Sequence, residues 1–248
     1  MSDWTEDFFG PDYIRAYPRD HQTDSQVEGV IRLLGISPPL RVLDLCCGYG
    51  RHTFSLRRMG YEALGLDLSR DLLGRARKEG KRNGEVGPSV PFTCADMRDI
   101  PYAAGTFDIV LSLFTSFGYF EGQADDQTVL DGVARVLKPG GKFFLDVLNK
   151  EWLMAHFEPR FWEEGEGCKL LNEMVFEYER GRLLTRRTII PDEGERKELF
   201  SSIRLYTLAE MIPMLRKAGL AYRKAHGGYD GRPYDMEGFR MLVIAEKE

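Results

Sequence analysis

Residues 43–69 read LDLCCGYGRHTFSLRRMGYEALGLDLS. An apolar run ends on an acid, two glycines follow two apart, and a helix-period segment leads to a second apolar run closed by a second acid. Glycines between a strand and a helix let a ligand approach the backbone closely. Gly48 and Gly50 follow the run 41–46, and Thr53, Leu56 and Met59 mark the helix beyond them. Asp67 ends the next run, 19 residues after Gly48, where a carboxylate can accept from ribose hydroxyls. The order of strand, glycines, helix, strand and acid points to an adenosine-type ligand. The dinucleotide pattern G-x-G-x-x-G/A fits poorly, because Thr53 stands where its third small residue belongs. Asp44, just before the turn, suits a neighbouring amine better than a phosphate.

The same alternation continues outward. Short apolar runs at RVLDLC (41–46), EALGLD (62–67), PFTCAD (91–96), FDIVLSLF (107–114) and GKFFLDVL (141–148) have the nearly continuous apolar character of strands buried on both faces of a parallel sheet. Between them, 69–79 reads as a helix with Ser69 as its N-cap, and 124–138 as a helix stopped by Pro139-Gly140-Gly141. Strands alternating with helices predict an α/β fold with a doubly wound sheet. After Asn149 the pattern changes. KLLNEMVFEYE, RLLTRRTII and ELFSSIRLY, all within 161–206, read as three antiparallel strands. Met174, Phe176 and Tyr178 are expected on one face of the first, and Val175 and Glu177 on the other. A helix should begin near Thr207, with Glu210 completing a capping box and Gly219 as the stop. Pro213 inside it predicts a later start or a kink. Two strands near 220–229 and 238–246 finish the chain.

The motif Asp44-Leu45-Cys46-Cys47-Gly48-Tyr49-Gly50 resembles the first motif of class I S-adenosylmethionine-dependent methyltransferases, acid-x-Gly-x-Gly-x-Gly, departing from it at Cys46. The resemblance continues through Asp67, CADMRDIP (94–101), FDIVLSLFTSFGYF (107–120) and LKPGGKFFLD (137–146), and so covers about 40–150. It implies a Rossmann-like methyltransferase fold with a mostly parallel seven-stranded sheet. Its core would be 41–150 with 207–248, preceded by a helical cover over 1–40. The antiparallel insertion 151–206 would serve as a substrate cover or a homodimer contact. The implied cofactor is S-adenosyl-L-methionine. By resemblance, the backbone around Cys46, Gly48 and Gly50 faces its methionine part, and Asp44 helps to satisfy its amino group. Asp67 takes the ribose hydroxyls, Leu68 lies against the adenine, and Asp96 and the Met97 amide meet its edge. Phe114, Phe117 and Tyr119 would line the space between sulfonium and acceptor, with Tyr13 positioning from the N-terminal cover, where it shares a helix face with Tyr17. Simpler roles stand beside these: Asp44 and Asp67 as local caps, Asp96 as a partner of Arg98, Phe114 and Phe117 as core, His52 as helix packing. Trp152, Trp162 and Arg204 are candidates for the acceptor side.

The implied activity is methylation of a nitrogen or oxygen of a small-molecule acceptor. Alternatives are a protein or RNA acceptor, a nicotinamide-dependent oxidoreductase and a non-catalytic cofactor-binding module. A net charge of −5 argues against a nucleic-acid partner, as does the absence of an (Asn/Asp)-Pro-Pro-(Tyr/Phe) motif after the fourth strand. The basic run RARKEGKRN (75–83) reads as a solvated helix face. Cys46, Cys47, Cys94 and Cys168 lack metal-ligand spacing and read as free thiols in a reducing compartment. No secretory signal or membrane-spanning run is visible, so no metal, no membrane and a cytoplasmic location are expected.

Overall fold

The computed structural model describes residues 22–82, 90–165 and 167–248. The opening stretch becomes β1 (Arg41–Leu45), α2 (Arg51–Arg58) and β2 (Glu62–Asp67), with α1 (Thr23–Leu34) before them. They are followed by α3 (Arg70–Arg82), β3 (Phe92–Cys94), β4 (Phe107–Ser112), α4 (Gln123–Val136) and β5 (Leu137–Leu148). The chain returns to the same sheet with β10 (Leu220–His226) and β11 (Arg240–Lys247). The strand order is β10-β11-β5-β4-β1-β2-β3. β1 pairs parallel with β2 and β4, β2 with β3, and β4 with β5, whereas β11 runs antiparallel to β5 and β10. The fold is the α/β, Rossmann-like, mostly parallel seven-stranded arrangement that the alternation predicts.

The sheet is buried on both faces, as its apolar runs require. Leu43, Leu45, Val110, Phe143 and Leu145 pack under α4, while Val42, Ala63, Ile109, Leu111 and Phe144 pack with α1 on the other face. This is the period-two distribution of a strand whose two sides both meet helices. From β1 the chain winds outward to β2 and β3, then crosses back to place β4 on the other side of β1. That reversal leaves a crevice outside the carboxyl ends of β1 and β4, the place where ligands bind in open α/β sheets.

Local signals hold in detail. The Leu72 amide donates to Ser69 Oγ at 3.2 Å, so Ser69 caps α3. Thr207 and Glu210 form the reciprocal capping box of α6 (Leu208–Lys217). Pro213 is carried inside this single helix, which starts where the cap dictates and not later. Pro139-Gly140-Gly141 differs from the expected helix stop, because α4 already ends at Val136 and β5 begins at Leu137. The register with β4 jumps from Phe107↔Leu137 to Ile109↔Lys142, so these residues form a bulge that starts the strand early.

The insertion holds four strands: β6 (Arg160–Gly165), β7 (Cys168–Glu177), β8 (Arg182–Pro191) and β9 (Lys197–Arg204), antiparallel in that order. Three were expected. β6 is an edge strand of sequence RFWEEG with no buried alternation to betray it. Phe176 packs with Leu183, Ile203 and Leu153 of α5 (Lys150–Ala155), while Val175 is exposed on the other face. Tyr178 lies just beyond the end of β7 and is exposed, but its ring meets the Phe176 ring edge-on, on the expected side. Among the described residues no helix is long and apolar enough to cross a membrane.

Candidate functional site

The residues of the opening stretch converge at the crevice. Asp67, at the end of β2, accepts from the Gly48 amide at 2.7 Å and from the Ser69 amide at 2.8 Å. The carboxylate therefore couples the glycine turn to the start of α3. Burial pushes its pKa up, against the lowering effect of these backbone donors. The capping role is thus real, and Asp67 has structural partners without any ligand. Leu68 beside it is 53 % exposed, an apolar surface at the mouth of the site.

Asp44 ends on the inside. It is 1 % exposed, and the Thr53 hydroxyl donates to its Oδ2 at 2.6 Å. Burial raises its pKa to about 6. Its bonds are local, to the first turn of α2, as in the simpler of its two expected roles. Cys46 occupies the motif's glycine position with φ +62°, the left-handed backbone that glycine would adopt freely. Its Sγ lies 3.5 Å from Met97 Sδ, and burial keeps the thiol protonated by raising its pKa well above the usual value. Gly48 and Gly50 are also left-handed; a Cβ on Gly48 would meet only Leu72, at an ordinary contact distance of 3.8 Å, whereas one on Gly50 would come within 2.6 Å of the Phe92 ring.

Asp96 is held by Arg98, whose Nη2 donates to Oδ2 at 2.7 Å and whose backbone amide donates to Oδ1 at 2.8 Å. Burial acts to raise its pKa, but these bonds outweigh it and the carboxyl stays below its ordinary value. Arg98 also reaches Asp125 and stacks over Phe120. The expected partner is therefore present, and the third-strand loop is tied to the loop after β4.

That loop is strained. Phe114 and Thr115 both have left-handed backbones, φ +58° and +60°, each an unfavourable conformation for a residue with a Cβ. Asp146, buried near the end of β5, fixes them. Its Oδ2 accepts from the Phe114 amide at 2.8 Å and from Tyr229 Oη at 2.6 Å, while its backbone carbonyl accepts from the Thr115 amide at 3.0 Å. Arg240 pairs with Asp146 Oδ1 and donates to Thr115 Oγ1 at 2.8 Å. Across the crevice the Arg51 guanidinium sits over the Phe114 ring, 4.3 Å from its centroid. Asp146, Tyr229, Arg240 and Arg51 were not singled out in the sequence. Asp146 carries a signal that Asp44 and Asp67 share, an acid near the end of a buried strand.

Other expected residues lie elsewhere. Phe117 is 1 % exposed and packs in the core against Tyr206, which corrects its expected place at the acceptor. Tyr119 packs beneath the four-stranded sheet with Phe176 and Leu183. Tyr13 and Tyr17 lie outside the described residues. Trp152 stacks on His156 and meets Phe239 edge-on, whereas Trp162 is exposed on the face of the insertion opposite Phe176. His52 is buried with its ring bonded to Gln26, in the packing role.

The insertion grips the post-β4 loop. The Arg204 amide donates to Gly118 O at 2.8 Å, and a Cβ on Gly118 would come within 2.5 Å of Arg204 O. Buried Arg182 donates to Phe120 O at 2.7 Å, to Tyr119 O at 3.3 Å and to Ser202. Tyr206 Oη donates to Asp126 Oδ2 at 2.6 Å, and burial raises the Asp126 pKa to about 6. A separate open cavity of about 780 Å³ lies on the insertion, lined by residues such as Val175, Leu184 and Phe200. Its lining includes none of the crevice residues.

Comparison with known proteins agrees with this geometry. Residues 42–141 match the family model described as a methyltransferase domain. Over 213 residues the chain is 37 % identical to the Bacillus subtilis protein YqeM, a methyltransferase by its name, covering 84 % of each. This chain belongs to the class I S-adenosylmethionine-dependent methyltransferases. It is also 28 % identical over 240 residues to the cypemycin N-terminal methyltransferase of a Streptomyces species, covering 95 % of this chain and 96 % of that one. A solved S-adenosylmethionine-dependent methyltransferase from Clostridium acetobutylicum shares the fold, with a TM-score of 0.79, 18 % identity and 95 % of both chains covered. The cofactor of this methyltransferase is S-adenosylmethionine.

Proposed function

We propose that this methyltransferase acts on the amino nitrogen of a small-molecule acceptor. The observation that carries the nitrogen is that Tyr229 and His52, the described residues near the Phe114–Thr115 loop that could serve as a base, are already engaged. Burial drives the Tyr229 pKa well above its usual value, and its hydroxyl is bound to Asp146. Burial drives His52 well below its usual value, and its ring is bound to Gln26. A neutral amine attacks through its lone pair and needs no base beforehand, whereas a hydroxyl needs its proton removed. The relative that spans nearly the whole chain is named for methylating an N-terminus, which supports the same reading.

The residues present fit the cofactor. Uncrowded Gly48, Asp67 beside it and exposed Leu68 suit an adenosine whose ribose meets the carboxylate and whose base meets the leucine. Bound there, S-adenosylmethionine supplies an electrophilic methyl group on a sulfonium. The chain's own contribution is placement and exclusion of water, and orientation of two reactants can account for about 7–11 kcal/mol of a barrier. The strained Phe114–Thr115 segment, locked by Asp146 and Arg240, forms the wall between cofactor and acceptor. The four-stranded sheet closes the acceptor side by holding Gly118, Tyr119 and Phe120 through Arg204 and Arg182.

The test uses purified protein, trideuteromethyl S-adenosylmethionine and two metabolite pools, one of primary and secondary amines and one of phenols and alcohols, with products read by mass spectrometry. Labelled products from the amine pool are expected. Labelled products from the hydroxyl pool alone would overturn the assignment to nitrogen.

A further inference from the structure

The loop between β10 and β11 meets the start of α5 at the carboxyl end of β5, and one fully buried asparagine joins them. Asn149 Oδ1 accepts from the Glu151 and Trp152 amides at 3.0 and 3.2 Å, which starts α5 and aims Trp152. Its Nδ2 donates to Asp235 O at 2.8 Å and to Gly238 O at 2.7 Å, and its amide donates to Phe239 O at 3.1 Å, which fixes the loop. Two aromatic rings are thereby held together. Trp152 meets Phe239 edge-on with centroids 4.9 Å apart, and His156 covers one face of Trp152 at 4.6 Å. Phe239 itself is 47 % exposed. Its ring adjoins the wall of the methyl-transfer site, because the Arg240 guanidinium lies 5.7 Å from its centroid and donates to Thr115 Oγ1 at 2.8 Å.

The charges at that wall restrict what nitrogen can approach it. Arg240 stands on one side, and the Arg51 guanidinium sits over Phe114 at 4.3 Å on the other. The acids nearby already accept hydrogen bonds: Asp146 from Arg240, Tyr229 and the Phe114 amide, Asp44 from Thr53, and Glu151 from Tyr234. An alkylammonium would add a like charge to this setting, where low dielectric strengthens repulsion. A side-chain alkylamine such as that of lysine has a pKa of about 10.4 and is almost wholly protonated near neutral pH. An aromatic amine delocalises its lone pair into the ring and is neutral there.

We propose that the acceptor is an aromatic amine, its ring seated on Phe239 beside Trp152 and its weakly basic nitrogen at the Thr115 wall. Offset or edge-on ring contacts with Phe239 and Trp152 orient the acceptor, and no base is needed to free the lone pair. The nitrogen lone pair forms the bond to the methyl carbon as the carbon–sulfur bond breaks, the bonding pair staying on sulfur as a neutral thioether. The resulting N-methylated ammonium, a strong acid, releases its proton to water. The inference rests on nitrogen as the accepting atom and adds the class of molecule that carries it.

The test titrates the S-adenosylhomocysteine complex at pH 7.5 with 4-methylaniline, benzylamine and cyclohexylamine, read by ligand-observed NMR. 4-Methylaniline should bind at least about tenfold tighter than either alkylamine. Phe239→Ala should weaken it about 5–10-fold, the range of a lost aromatic pair and its buried area, and Phe239→Leu less. Affinity for S-adenosylhomocysteine should stay within about two-fold in both variants. If Phe239→Ala failed to fold, Phe239→Leu would carry the comparison. Equal affinity for the three amines, benzylamine ahead of 4-methylaniline, or 4-methylaniline binding that ignores Phe239 would overturn the proposal. With trideuteromethyl S-adenosylmethionine, labelled cyclohexylamine and no labelled 4-methylaniline would overturn it while leaving nitrogen as the accepting atom. Labelled 4-methylphenol in place of 4-methylaniline would overturn the nitrogen itself.

Discussion

Removing the Asp67 carboxylate perturbs the site in two separable ways. Asp67→Ala deletes the acceptor of two backbone N–H groups, on Gly48 at 2.7 Å and on Ser69 at 2.8 Å. Hydrogen bonds to a charged group are each worth about 1.5–3 kcal/mol net. Against this stands relief of a buried charge, since burial is the larger influence on Asp67 and raises its pKa. The balance is a loss of about 2–4 kcal/mol in the ligand-free protein. For a chain of this size that lowers the melting temperature by roughly 4–16 °C. An acid that faced only the ribose would show no such loss, because it needs no partner in an empty site. Affinity for S-adenosylhomocysteine should fall a further tenfold to hundredfold, roughly, from the missing ribose contact. Thermal unfolding without ligand measures the first effect, and calorimetry on the variant measures the second. An unchanged melting temperature would refute the coupling of the glycine turn to α3. An unchanged affinity would refute the ribose contact.

Three further outcomes follow from the same geometry. Cys46→Gly should change stability by less than about 1 kcal/mol, because relief of the left-handed backbone offsets the extra freedom of the unfolded chain; Cys46→Val should cost about 2 kcal/mol or more, and equal melting temperatures for the two would contradict this. Asp126 holds its proton more tightly when folded, with a pKa of about 6 against an ordinary 3.8, so its contribution is present at low pH and lost as pH rises through 6. The melting temperature of the unchanged protein minus that of Asp126→Asn should accordingly increase from pH 7.5 to pH 5, and a flat difference would show that Asp126 does not titrate there. Arg182→Met should lower kcat/KM for the acceptor about tenfold or more by freeing Tyr119 and Phe120, with S-adenosylhomocysteine affinity held, and loss of both together would deny the insertion its separate place at the acceptor side.

Local physics made the sheet legible. Five apolar runs, the Ser69 cap and the Thr207–Glu210 box depend on neighbours a few residues away, and each appears where the sequence places it. β6 escaped because an edge strand with both sides largely exposed needs no alternation. The glycine turn and Asp67 were legible for a similar reason, since their spacing is fixed by one strand–helix–strand unit. The lock on Phe114 and Thr115 was not. It joins Asp146 to Tyr229 and Arg240, 83 and 94 residues away, through strands whose pairing no local pattern announces. Phe117 takes the simpler of its two expected places, an aromatic of the right segment buried in the core against Tyr206.

In the proposed site the crevice between β1 and β4 holds the cofactor with its ribose on Asp67. A crystal structure of the protein with S-adenosylhomocysteine tests it most directly. The ribose hydroxyls are expected within hydrogen-bond distance of the Asp67 carboxylate, and the adenine against Leu68. Density for the ligand in the open cavity of the four-stranded sheet, or in the crevice with its ends reversed, would contradict it.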